Sequence, residues 1–255
     1  MQCSQKTNSL QIAVLVCDHL LPEIQTQFGD YPALIGNLLV DAGKSLGLVV
    51  KCDSFYVIDG QYPAAPQEYD AVVLSGSKYS AYDQLDWINR LKQFVRDTDA
   101  LQTKIIGICF GHQIIAEALG GQVSKNPLGW EVGFTRIRLS QEDTAAQLGL
   151  QSGVLELCLQ SMHQDHVTVV PKGFTVLAST DISNVQIMSK GYSCLSLQAH
   201  PEFCSGIVRH LINVRTASGV FEKNAAKKWL DVVDNQTDGT LFAASILWFI
   251  RQPSL

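Results

Sequence analysis

Lys104-Ile105-Ile106-Gly107-Ile108-Cys109-Phe110-Gly111-His112-Gln113-Ile114-Ile115-Ala116-Glu117-Ala118-Leu119 is the stretch around which the chain is organised. It opens with an apolar run, Ile105 to Ile108, broken only by Gly107. Such a run reads as a parallel strand buried on both faces. It closes with Ile114, Ile115, Ala118 and Leu119, the spacing of a helix face. Between strand and helix stands Gly107-Ile108-Cys109-Phe110-Gly111. This is the G-x-nucleophile-x-G pattern of a nucleophile elbow, with Cys in the nucleophile's place. Glycine two residues to either side lets the backbone turn sharply without Cβ clashes. Cys109 is then presented at a helix N-terminus, where the helix dipole and any nearby imidazolium favour thiolate over thiol. A buried cysteine at the end of an apolar strand fits the same five residues, so the rest of the chain decides.

Composition narrows the classes. The 255 residues are 46% hydrophobic and 17% charged, enough for a large core. A net charge of −5 with no basic block argues against a protein that tracks nucleic-acid phosphates. The cysteines, Cys3, Cys17, Cys52, Cys109, Cys158, Cys194 and Cys204, are irregularly spaced and form no C-x-x-C pair. That disfavours a zinc knuckle and fits a reducing, cytoplasmic compartment. The polar N-terminus lacks the apolar core of a signal peptide, and no apolar run reaches transmembrane length. Pro253-Ser254-Leu255 ends like a peroxisomal tripeptide but lacks its middle lysine.

Upstream of the elbow, residues 12–17 read as a first buried strand, with Asp18 and His19 at its C-terminal edge. Open α/β sheets bind ligands at that edge, although His19 reads as a solvated loop histidine. Residues 20–30 read as loop, 31–46 as helix and 48–57 as a second strand. The third strand, 69–74, runs into Ser75-Gly76-Ser77-Lys78-Tyr79-Ser80. Backbone N–H groups in such a turn can form an anion nest; an ordinary strand-to-helix turn is the alternative. Leu85, Ile88, Leu91, Phe94 and Val95 mark an amphipathic helix ending near Asp99.

Beyond Gly120-Gly121 the texture changes to short strands with turns: 134–139, 154–160, 174–178, 185–188 and 194–198. These imply an antiparallel section added to the core. Helical patterns follow at 207–212, 225–233 and 241–250, the last two covering the sheet or a partner. The expected fold is a flavodoxin-like α/β domain. It has an open, mostly parallel sheet with helices on both faces, an antiparallel extension and a helical tail. One domain spans 1–255, with its core at about 10–215 and its tail at about 220–251.

The last strand ends in Gln198-Ala199-His200-Pro201-Glu202. Pro201 restrains His200 to an extended backbone, and residues i and i+2 of an extended chain point the same way. Glu202 can therefore accept from one ring nitrogen of His200 and leave the other free to act as a base. A polar turn opening a helix is the alternative reading. With an elbow cysteine in the same chain, the pair is favoured. His112 reads as packing or polar surface, because the elbow directs the thiol away from its helix. His163 and His166 have metal-like spacing but no third ligand, so no metal or other cofactor is expected.

The elbow and the His-Pro-Glu motif, in this order, resemble class I glutamine amidotransferases. Ser75-Gly76-Ser77 resembles their oxyanion loop; Gly129-Trp130-Glu131-Val132-Gly133 and Met162-His163-Gln164-Asp165 resemble further family stretches. The likeness is greatest to stand-alone fungal and plant members with a Gly-Ser-Lys-Tyr loop. The resemblance implies that Cys109 attacks a γ-glutamyl carbonyl to form a thioester, that His200 is base and then acid, and that Glu202 orients it. It implies an oxyanion hole at the amides of Ser77 and Phe110. It implies substrate contacts from Gly76, Gln113, His163, Gln164 and Asp165. Ser77-Lys78 departs from the family's usual Gly-Pro, and no synthetase domain for an ammonia acceptor is recognisable. Three readings follow: hydrolysis of glutamine's amide with a separate acceptor enzyme, peptidase action on glutathione or its conjugates, or a catalytically silent interaction module. The intact Cys109, His200 and Glu202 weigh against the last. Neither nucleic acid nor membrane is expected as a partner.

Overall fold

A computed structural model describes residues 8–141 and 143–253. Cys3 and the Ser254-Leu255 end of the tripeptide lie outside these residues. The elements, in chain order, begin with β1 (Ser9–Val16), α1 (Pro22–Phe28), α2 (Tyr31–Ser45), β2 (Val49–Tyr56), β3 (Ala71–Leu74) and α3 (Asp86–Ala100). The middle is β4 (Lys104–Ile108), α4 (Phe110–Ala118), β5 (Gln122–Lys125), β6 (Glu131–Leu139), α5 (Thr144–Gln147), β7 (Glu156–His163) and β8 (Asp165–Val169). The chain closes with β9 (Thr175–Ser179), β10 (Ile187–Lys190), β11 (Cys194–Leu197), α6 (Ser205–Ala217), α7 (Lys223–Val232) and α8 (Gly239–Ile250).

Among the described residues, nine strands form one sheet in the order β2-β1-β3-β4-β11-β10-β9-β6-β7, and β5 pairs with β8 in a separate ribbon. The first five strands of the sheet run parallel and the rest pair antiparallel. The expected α/β architecture with an antiparallel extension is thus present. β11 departs from the sequence reading: it pairs antiparallel with β10 but parallel with β4, so it completes the parallel core.

Alternation along β1 divides the interior in two. Ile12, Val14 and Val16 face a core shared with Ile35 and Leu39 of α2, Ile207 of α6 and Phe242 and Ile246 of α8. Ala13, Leu15 and Cys17 face the other core, with Ile88 and Leu91 of α3 and Ile114 and Ile115 of α4. A strand buried on both faces reads as a continuous apolar run because successive side chains serve opposite layers. α8 covers the sheet as the tail reading allowed. Gly239, at its start, presses against the carbonyl of Pro201 and leaves no room for a Cβ.

Four short elements, α1, α5, β5 and β8, fell outside the sequence reading. α1 occupies part of the stretch read as loop; it buries only Ile24, too little to leave a periodic signal. β5 and β8 each bury one residue, Val123 and Val167, and the remainder is polar or exposed. No helix among the described residues is long and apolar enough to cross a membrane. Cys17, Cys52, Cys109, Cys158, Cys194 and Cys204 are unbridged.

Candidate active site

The turn from β4 to α4 is made by Cys109 itself, at φ 52° and ψ −102°. An L residue held at positive φ away from a turn's usual residues stores strain of about 1–3 kcal/mol, a feature that clusters at functional sites. The flanking glycines serve close approach rather than unusual dihedrals. A Cβ on Gly111 would stand 2.6 Å from the Leu74 carbonyl oxygen, and one on Gly107 would stand 2.6 Å from Cδ1 of Ile115. The Cys109 amide donates to Leu197 O at 2.8 Å, and that of Gly111 to Ser75 O at 3.2 Å. The elbow is therefore tied to the ends of both neighbouring strands.

Because β11 lies beside β4, with Leu197 opposite Ile108, the segment after β11 emerges next to the thiol. Gln198 Nε2 lies 3.6 Å from Cys109 Sγ. His200 is buried, its amide donates to Gln160 O at 2.8 Å, and its ring lies flat on Phe203 with centroids 4.0 Å apart. Nδ1 of His200 is 2.8 Å from Oε1 of Glu202, whose side chain is wholly buried. The pair forms as anticipated, but on a turn rather than an extended chain, with α6 starting only at Ser205. The hydrogen bond can close because a tight turn also brings i and i+2 together. Burial opposes the charged imidazole. The negative charges of Cys109 and Glu202, and hydrogen bonds with both, outweigh it and hold His200 up at about 10.

The loop after β3 is clamped by the end of β1. Asp18 accepts from the amide of Lys78 at 2.8 Å and from its Nζ at 2.9 Å. Ser75 Oγ accepts from the Cys17 amide and donates to Gly76 O. Gly76 lies against the imidazole of His200. The Ser77 amide meets no acceptor among the described residues, and the Phe110 amide is the first of α4, where a helix has no internal acceptor to offer.

The remaining predicted site residues line one cavity of about 240 Å³ with Cys109 and Ser77: Gln113, His163, Gln164 and Asp165. Asp165 accepts from Ser80 Oγ at 2.6 Å and from the Tyr82 hydroxyl at 3.1 Å. Gln113 Nε2 donates to Asp165 O and to Gln198 Oε1, both at 3.0 Å. The ring nitrogens of His163 face Asp165 O at 3.0 Å and Glu131 Oε2 at 2.9 Å. His112 is fully buried with Nδ1 2.9 Å from Ser196 Oγ, and burial is the main force pushing it down to about 3. It is a packing residue, not a polar surface one. No group of three metal-ligating side chains occurs among the described residues.

The glutamine amidotransferase class-I family matches residues 30–213. This chain belongs to that family. It is therefore an enzyme of the glutamine amidotransferase type, with the family's general action on a glutamine-type amide. It is 33% identical over 249 residues to a glutamine amidotransferase-like protein of Schizosaccharomyces pombe, covering 94% of this chain and 98% of that one. It is 31% identical over 233 residues to gamma-glutamyl peptidase 4 of Arabidopsis thaliana, covering 89% and 90%. Among solved structures, a glutamine amidotransferase from Methylobacillus flagellatus matches with a TM-score of 0.73 at 19% identity, over 94% of this chain and 93% of that one. That likeness speaks to the fold.

Several side chains at this amidotransferase site went unassigned in the sequence. Gln198 and Phe203 flank the His-Pro-Glu motif and were within its reach. Asp18 stood at the binding edge of the sheet with no visible partner. Tyr31 is buried near Gly76, and its phenol is held well above the usual range by burial, then by the charges of Glu202 and Cys109. Arg215, on α6, stacks over Trp130 at 4.9 Å and Phe221 at 5.7 Å; burial draws it down. It also lines a second cavity, of about 220 Å³, into which His200, Phe203 and the half-exposed His19 project. His19 there faces Asp59 at 3.1 Å and stacks on Tyr56.

Proposed function

We propose that the protein hydrolyses γ-glutamyl amides through a thioester on Cys109, with His200 and Glu202 completing a triad. The observation that carries the reading is the elbow thiol at the end of β4, beside the segment after β11 that carries a buried imidazole with Glu202 on its Nδ1 at 2.8 Å. A cationic ring beside a sulfur is the setting in which a nucleophilic thiolate forms. In the first step the Cys109 sulfur attacks the γ-carbonyl carbon, the C–S bond forms and the carbonyl π electrons move onto oxygen. The amides of Ser77 and Phe110 receive that oxyanion, each contributing roughly 3–4 kcal/mol to the barrier reduction. As the tetrahedral carbon collapses, the C–N bond breaks and the departing nitrogen takes a proton from His200. The ring, now neutral, removes a proton from water. The resulting hydroxide attacks the thioester, the C–S bond breaks, and glutamate leaves with the cysteine–histidine pair restored.

Gly76, Gln113 and the His163-to-Asp165 stretch bind the glutamyl moiety in this reading. Asp165, held by Ser80 and Tyr82, suits an α-ammonium group. The relatives' names support two sources of the amide. One is glutamine, with ammonia consumed by a separate acceptor enzyme; the other is a γ-glutamyl peptide, which needs no acceptor.

The test is glutamate release from glutamine, glutathione and an S-substituted glutathione, with Cys109→Ala as control. The reading expects turnover of at least one substrate, lost in the variant, and a γ-glutamyl mass adduct on Cys109 in rapidly quenched enzyme. Turnover that survives Cys109→Ala defeats it.

A further inference from the structure

We propose that the cavity on the His200 side is a leaving-group subsite. It is built for the amino acid or short peptide released from a γ-glutamyl amide, one with an apolar side chain and a free carboxylate. This rests on the hydrolase reading above and extends it to the substrate class.

Two cavities meet at one wall. Ser77, Lys78, Met162 and Arg215 line both, whereas Cys109 lines only the first and His200 only the second. The acyl carbon bonds to sulfur, so the glutamyl part lies on the Cys109 side. The departing nitrogen must take its proton from His200, so the amine leaves toward the second cavity. Water for the second step enters from that side after the amine has gone.

The walls differ in chemistry as the two halves of such a substrate would. On the Cys109 side, Gln164, Asp165 and Lys125 offer polar and charged partners to a zwitterionic head. On the His200 side, Leu20, Phe203, Leu211 and Val214 present apolar surface. Ammonia is the size of a water molecule and gains nothing from an apolar wall; an aliphatic side chain gains from each CH₂ it buries there. At the junction stands Arg215, which pairs with no carboxylate among the described residues and lies over the Trp130 and Phe221 rings. A guanidinium held by stacking keeps its N–H edge for a bidentate carboxylate. A released amino acid carries that group, and ammonia does not.

The experiment compares kcat/KM for glutamine, γ-glutamyl-alanine, γ-glutamyl-leucine and γ-glutamyl-leucinamide. It uses the wild type, Val214→Trp, Val214→Asp and Arg215→Met. Val214 is 41% exposed on α6, so both replacements are tolerated by the fold. The wild type is expected to prefer γ-glutamyl-leucine to glutamine by about tenfold or more. Filling the cavity with Trp, or charging its wall with Asp, is expected to cut that ratio by about tenfold. Arg215→Met is expected to erase the preference for the free carboxylate over the carboxamide. Equal kcat/KM for glutamine and γ-glutamyl-leucine in the wild type, or a ratio unchanged in both Val214 variants, overturns the subsite while leaving the hydrolase reading intact. A carboxylate preference that persists in Arg215→Met removes Arg215 from it. Absence of both turnover and a Cys109 adduct with every substrate overturns the hydrolase reading and the subsite together.

Discussion

Gly76 and His200 are packed so closely that a Cβ on residue 76 would stand 2.7 Å from Cε1 of the imidazole. On its other side the ring lies flat on Phe203, and its Nδ1 is bound to Glu202. A Cβ at residue 76 can be admitted only if the imidazole moves off this position. Gly76→Ala should displace it and lower kcat by about a hundredfold, the scale of a 1 Å misplacement. Tm should change little, because the added methyl is accommodated by the ring's shift. Unchanged kcat in a folded Gly76→Ala protein would show that the ring is not held by this contact.

Glu202→Gln keeps the shape of the partner and removes its charge. The negative charge of Glu202 is one of the forces that raise His200 to about 10, so the variant's ring should lose its proton at lower pH. In the proposed mechanism His200 donates the proton to the amine, so activity should fall as pH rises through its pKa. The alkaline limb of the pH–rate profile should therefore move toward acid, with kcat reduced about 10²–10⁴-fold. Stability follows the same sign. The stabilisation from a raised histidine is complete below about pH 6.5 and is lost as pH rises toward 10. The variant should lose it earlier, as read by urea titration at several pH values.

Cys109 holds φ at 52° although it carries a Cβ. Cys109→Gly relieves that strain, whereas Cys109→Ala retains it. The glycine variant should be more stable than the alanine variant by about 1 kcal/mol, net of glycine's greater unfolded-state entropy. Both should be inactive. Equal denaturation midpoints would remove strain from the description of the elbow.

His112 works in the opposite pH direction to His200. It is buried neutral and pushed down to about 3, so between about pH 6.5 and pH 3 the unfolded chain binds a proton that the folded chain does not. Stability should fall with decreasing pH across that window by roughly 1.4 kcal/mol per unit from this group. His112→Gln, which can still hydrogen-bond Ser196, should flatten the acid limb of the stability profile. An identical slope in the variant would assign the acid sensitivity to other groups.

Asp18 fastens Lys78 by its amide and its ammonium, and the Ser77 amide sits one residue away. Asp18→Asn weakens both hydrogen bonds by removing the charge. It should lower kcat about 10–100-fold with a smaller change in KM, since an oxyanion donor acts mainly in the transition state. A change confined to KM would place Asp18 in ground-state binding instead.

The elements that carry a period were legible. The buried strand before Cys109, the amphipathic α3 and the helical tail each repeat a pattern over enough residues to be read. α1, β5 and β8 were not, because each buries a single side chain and leaves no period. The His200–Glu202 contact was legible for a local reason, since two residues of separation can meet in either an extended chain or a turn. Its actual geometry, a turn backed by Phe203 and by Gly239 of α8, was not written in the motif.

By itself the sequence determined the sharp turn at Cys109, the His200–Glu202 contact and the family, because those depend on residues close together in the chain. Only the tertiary structure decided what stands around them. The parallel pairing of β11 with β4 sets His200 beside Cys109, Asp18 reaches across to Lys78, and α6 brings Arg215 to the wall between two cavities. Contacts of that kind join segments distant in the chain. They are fixed by how sheet and helices bury their apolar faces, and no local pattern of residues encodes them.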